Sequence, residues 1–90
     1  MTALEALEGI GARGVLEAIA DEYGTAPEVV LGRGRRPRVA NARTRLYYVL
    51  SGTLGLSSVE LGELLGRDHS TILAGIHKEE RLAAERLGLR

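Results

Sequence analysis

Apolar residues recur along this chain at three- and four-residue spacing, and no run of four or more alternates as a half-buried strand requires. In residues 13–23, Leu16, Ile19, Ala20 and Tyr23 share one helical face, Glu17, Asp21 and Glu22 take the other, and Gly24 is placed to stop the helix. Thr25-Ala26-Pro27-Glu28 reads as a capping box with proline in the first turn, opening a short helix through Val29, Val30 and Leu31 that Gly32 ends. Two glycines and a proline keep residues 32–38, Gly-Arg-Gly-Arg-Arg-Pro-Arg, out of a helix interior, so a loop is expected there. A longer helix is expected from about Val39 to Leu54, with Val39, Ala42, Leu46, Val49, Leu50 and Thr53 inward and Asn41, Arg45 and Tyr48 outward. Ser57-Ser58-Val59-Glu60 is a second capping box, and its helix carries Val59, Leu61, Leu64 and Leu65 as far as Gly66. Asp68 is a good N-cap for a last helix from His69 to about Leu87, with Ile72, Leu73, Ile76 and Leu82 inward. Residues 1–12 read as an N-terminal extension able to add a frayed helix of its own (Leu4, Leu7, Ile10), ahead of a domain over 13–90. The fold class is all-α, a compact domain of five or six helices.

Composition narrows the function classes. Ninety residues, 44% of them hydrophobic, make one small domain, which excludes a conventional two-domain enzyme and a buried cofactor cleft. Without cysteine there is no disulfide framework, no thiolate metal site and no cysteine nucleophile. Tryptophan and phenylalanine are absent as well, so the core falls to Leu, Ile, Val and Ala, with Tyr47 expected at its rim and Tyr48 on the surface. No run approaches the ~18 apolar residues of a membrane span, and the acidic Met1–Glu5 opening is unlike a signal peptide. A cytoplasmic chain with no membrane partner is expected.

Net charge is zero, but the charges are segregated. Residues 1–28 hold six acids and one base, Arg13, whereas residues 29–59 hold six arginines and no acid. Half the cations thus collect in one acid-free third, a distribution that suits an anionic partner. Glu79, Glu80 and Glu85 are expected on a solvated face with Arg81 and Arg86. His69 and His77 stand eight apart and miss the i,i+4 spacing of a zinc pair. Ser70 diverges from His69 by about 100° around the helix, so no nucleophile–base pair forms either. Catalytic residues, metal and cofactor are all expected to be absent.

Ser57 to Lys78 has the form of a helix-turn-helix: a short helix, a tight glycine-containing turn and a second helix whose first residues meet base edges in the major groove. That second helix opens on Asp68, His69, Ser70 and Thr71, short hydrogen-bonding groups at a terminus that already favours phosphate. Ala74 and His77 follow on its outward side, and Lys78 and Arg81 extend the basic face.

Gly66-Arg67-Asp68-His69-Ser70-Thr71-Ile72-Leu73 closely resembles the signature G-R-D-H-[ST]-T-V of the C-terminal DNA-binding domain of the bacterial replication initiator DnaA. Ile19-Ala20-Asp21-Glu22-Tyr23 resembles that family's first helix, and Arg33 to Arg38 falls at its basic loop. Val39-Ala40-Asn41-Ala42-Arg43-Thr44 is similar to V-A-x-x-R-Q, and Ser58-Val59-Glu60-Leu61-Gly62 to L-P-E-I-G. The resemblance covers residue 13 to about 80 and implies a Trp-repressor-like helical domain that binds double-stranded DNA at a DnaA-box-like site. It implies that Arg35 enters the minor groove, that Arg33 and Lys78 meet phosphates, and that Arg43 lies beside the DNA. Asp68, His69, Ser70 and Thr71 take the base- and phosphate-reading turn. Arg36, Arg38, Thr44, Ser58, Val59, Arg67 and Ala74 complete the expected DNA-binding set. A planar guanidinium suits a narrow, negative minor groove, and glycines at 32 and 34 allow a close backbone approach. Asp68 is able to accept from a cytosine amine, and the Thr71 methyl to meet a thymine methyl.

The chain also departs from the family pattern. One glycine precedes Arg67 where the family usually has two, and Leu64-Leu65 stands where an aromatic often sits. Thr44 replaces a common Gln, Val59 a common Pro, and Ser51 and Ala74 stand where full-length initiators often carry Lys and His, so site preference is expected to differ. No G-x-x-x-x-G-K-[ST] phosphate loop is present, which points to a stand-alone relative or an excised domain that takes no nucleotide and regulates replication or transcription by occupying sites. A rival reading makes the chain an interaction module whose acidic N-terminal face docks on a replication protein.

Overall fold

A computed structural model describes residues 1–88 as six α-helices, with no strand among them. The expected all-α class holds. The helices are α1 (Ala3–Gly9), α2 (Arg13–Glu22), α3 (Pro27–Leu31), α4 (Pro37–Leu54), α5 (Ser58–Leu65) and α6 (His69–Arg86). None is long and apolar enough to cross a membrane.

Each helix contributes a fully buried aliphatic side chain to one core: Leu7, Leu16, Val30, Leu46 and Leu50, Leu61, and Ile72. Helix α4 runs through the middle and packs against α2, α3, α5 and α6. Its crossing with α6 is close because α6 presents Gly75 there; a Cβ at that position would stand 3.0 Å from the Tyr47 ring and 3.1 Å from the Thr44 methyl.

Local signals and structure disagree at several places. Where a frayed N-terminal helix is expected, α1 is capped in both directions: the Thr2 hydroxyl accepts from the Glu5 N–H at 3.1 Å, and the Glu5 carboxylate accepts from the Thr2 N–H at 2.9 Å. Those bonds hold the Glu5 carboxyl below its usual range. The cap suffices because Leu7, one turn on, is wholly buried. The Thr25–Glu28 capping box does not form: Ala26 is the N-cap of α3 and has no side-chain bond. Thr25 instead closes α2, its N–H donating to the Ala20 carbonyl at 2.9 Å around left-handed Gly24.

Pro37 is the first residue of α4, so the expected loop shortens to 32–36 and Arg38 lies in the helix's first turn. Proline is favoured there because the first helical N–H has no intrahelical acceptor to lose. Finally, Glu79 is not on a solvated face. It is 4% exposed and pairs with Arg45 at 3.7 Å. The helical repeat that buries Ile72 and Gly75 carries position 79 onto the same stripe, and α4 supplies the counter-charge. By the same geometry Leu73, 40% exposed and about 100° around from Ile72, faces outward rather than inward. Leu82, Val59 and Thr53 are exposed as well, Leu82 bordering an open cleft with Tyr23 and Arg45.

Candidate nucleic-acid interface

The helix-turn-helix is built from strong local signals. Ser57 caps α5 reciprocally with Glu60, at 3.1 and 2.9 Å. Left-handed Gly66, with φ at +67°, ends the helix, a conformation open to glycine at little cost. Asp68 then opens α6, its carboxylate accepting from the Ser70 N–H at 2.9 Å. The connection wraps tightly over α5: the Arg67 N–H donates to the Gly62 carbonyl at 2.8 Å, and a Cβ on Gly62 would lie 2.6 Å from the Arg67 carbonyl oxygen.

Asp68, His69, Ser70 and Thr71 are all exposed, with the His69 ring 3.6 Å from the Asp68 carboxylate. Ala74 and His77 are exposed as expected, and they share a face of α6 with Ser70 and the half-buried Lys78. Lys78 donates to the Asn41 side chain at 2.8 Å. Asn41 is thus a partner of the basic face, a role invisible in a periodicity that says only that it points outward. Ser58 is half-buried at the start of α5, and Val59 beside it is exposed.

The arginine-rich loop lies next to this turn. Arg33, Arg35, Arg36 and Arg38 are exposed, and none enters an ion pair among the described residues. Arg43 and Arg67 behave differently: both point their guanidiniums into the protein. Arg43 donates to the carbonyls of Val30 at 2.8 Å, Gly34 at 3.0 Å and, more loosely, Val29 at 3.4 Å. Arg67 donates to the carbonyls of Leu31, at 2.8 Å, and Gly32. Burial pulls the Arg43 pKa below its usual value, and the charges of Arg67 and Arg33 add to that. Thr44 turns its methyl toward Gly75 and its hydroxyl to the Asn41 carbonyl at 3.2 Å. Three successive residues of α4 therefore hold three different things: Arg43 the loop, Thr44 the first half of α6 and Arg45 its buried Glu79.

The chain matches the family model described as the bacterial dnaA protein helix-turn-helix over residues 12–78. It belongs to the DnaA helix-turn-helix family. It is 40% identical over 73 residues to the chromosomal replication initiator protein DnaA of Thermomicrobium roseum, which covers 79% of this chain and 16% of that protein. The Thermus thermophilus DnaA is 37% identical over 70 residues, covering 77% of this chain and 16% of its own length. DnaA 2 of Chlamydia caviae is 36% identical over 63 residues, covering 70% and 14%. The chain therefore spans about a sixth of the length of these DnaA relatives. No solved structure matches it. The DnaA helix-turn-helix is a DNA-binding unit, and α5 and α6 form it here. Helix α1 and the last turns of α6 lie outside the DnaA match.

Proposed function

We propose that this chain reads a DnaA-box-like site in double-stranded DNA and regulates replication or transcription by occupying such sites. The opening turn of α6 enters the major groove, and Arg35 reaches into the adjacent minor groove. The observation that supports this reading is the exposed Asp68–Thr71 turn, joined through the Arg67 side chain to the exposed arginine loop. Two reading elements linked in this way would suit neighbouring grooves of a duplex. Arg33, Arg36, Arg38 and Lys78 would supply cations for phosphates, and Ser58 and Val59, respectively half-buried and exposed at the start of α5, would add contacts to the duplex.

Selection of bound duplexes from a random pool tests the reading directly and is expected to enrich one short sequence. Against that duplex, log affinity should fall with log salt at a slope of about −4 to −6, because roughly 5–7 cations near phosphate each release about 0.9 counterion. A pool that returns no enriched sequence would sink specific readout. Arg35→Ala is expected to cost about 1–3 kcal/mol on the selected duplex and less on a scrambled one, whereas Lys78→Ala should weaken both alike. Asp68 separates cap from reader: Asp68→Ala should destabilise the fold by about 1 kcal/mol, while Asp68→Ser should keep the cap. If Asp68 also accepts from a base, Asp68→Ser retains the melting temperature and still loses discrimination at one base pair in anisotropy titrations.

A further inference from the structure

Helix α3 is five residues long and Gly32 closes it, its N–H donating to the Val29 carbonyl at 3.1 Å, so the carbonyls of Val30 and Leu31 are left without backbone donors. Two guanidiniums supply them. Between them Arg43 and Arg67 serve every carbonyl from Val29 to Gly32, and then Gly34. Both arginines line, with Leu46, Tyr47 and Leu65, a small cavity of about 10 Å3, so little space is left between the guanidiniums and the core side chains. The planar, multi-donor fork suits this task in a way that a lysine ammonium does not.

The placement has a directional consequence. Arg67 immediately precedes the N-cap of α6, and its side chain ends on the first residue of the arginine loop. Arg43 fixes the carbonyl of Gly34, one peptide before Arg35. Guanidiniums committed to internal carbonyls are poor candidates for phosphate, although both sit in the basic set that the sequence assigns to DNA. We infer that Arg43 and Arg67 are positioning residues: they clamp the arginine loop at a fixed offset from the opening turn of α6, and so set how the minor-groove arginine registers with the major-groove reader. This inference rests on the proposed duplex-reading function.

A phosphate contact and a clamp make opposite predictions. If Arg67 neutralised a phosphate, Arg67→Ala would lower the magnitude of the salt slope by about 0.9 and weaken selected and scrambled duplexes equally. As a clamp, its loss should leave the slope unchanged and cut the ratio of selected to scrambled affinity about tenfold, the scale of what one minor-groove arginine contributes. Arg67→Ala combined with Arg35→Ala should then cost no more on the selected duplex than Arg35→Ala alone, since the clamp acts through that side chain. Arg43→Lys keeps the charge and is the companion variant if Arg67→Ala melts out of range: a phosphate contact survives it, whereas the clamp loses its fork and the affinity ratio. Additive losses, or a slope reduced by about 0.9, would overturn the inference.

A measurement without DNA keeps this separate from the duplex-reading proposal. Backbone 15N order parameters at Gly34 and Arg35 should be near about 0.85 in the unaltered protein and fall below about 0.6 in Arg67→Ala, with the helices unchanged. Loop amides already below that value in the unaltered protein would refute the clamp whether or not a duplex is selected. An ordered loop in a protein that selects no sequence would instead refute the reading and leave the clamp standing.

Discussion

Gly62→Ala is expected to abolish tight duplex binding and to destabilise the fold by about 1–3 kcal/mol, the usual cost of forcing a methyl group into a filled site. The added Cβ would stand 2.6 Å from the Arg67 carbonyl oxygen and 3.3 Å from the His69 nitrogen. Both neighbours are backbone, so no side chain is free to swing away. Relief requires the Gly66–Asp68 connection to lift off α5, which moves the first turn of α6 and pulls Arg67 from the carbonyls of Leu31 and Gly32. Chemical denaturation and anisotropy titration should therefore both register the change. A variant that keeps its affinity for a selected duplex would show that the opening turn need not sit where this connection holds it.

Leu46→Ala is expected to have the largest effect on stability, about 2–5 kcal/mol by urea denaturation followed by helical circular dichroism. Leu46 is fully buried on the helix that packs against four others, and it also lines the small cavity beneath the Arg43 and Arg67 side chains. Neighbouring helices are held apart by their own crossings, so the space left behind should collapse only in part. At about 4–8 °C per kcal/mol for a domain of this size, the melting point should drop by at least about 8 °C. A shift of a degree or two would mean that α4 is not the mechanical centre of the fold.

Most helices here are legible because their signals are local. Ser57 and Glu60, or Asp68 and Ser70, cap a helix within one turn wherever the rest of the chain goes. Legibility fails where two local signals compete or where the partner is distant. Thr25 has the composition of a cap, but its N–H is taken by the closing turn around Gly24, leaving Ala26 to begin α3. Pro37 reads as a breaker by composition, yet it is the first residue of the helix that buries the most side chains in the core. Glu79 groups naturally with its charged neighbours, while the helical repeat from Ile72 through Gly75 puts it inside. The exposure of the arginine loop and of the Asp68–Thr71 turn follows from their chemistry, since neither has an apolar face to bury. The inward aim of Arg43 and Arg67 does not follow: Arg67 meets Leu31 across 36 positions of chain, and no periodicity distinguishes a guanidinium that turns in from one that reaches out.

Arg43, Thr44 and Arg45 sit on barely one turn of α4, so the loop and both halves of α6 are referred to a single short piece of backbone. A protein tied together in this way has little slack with which to follow irregularities in its target. On the proposed reading, strain between the two grooves is absorbed by the nucleic acid, whose pyrimidine–purine steps unstack most readily. Base pairs that no side chain touches would then still govern affinity through their stiffness.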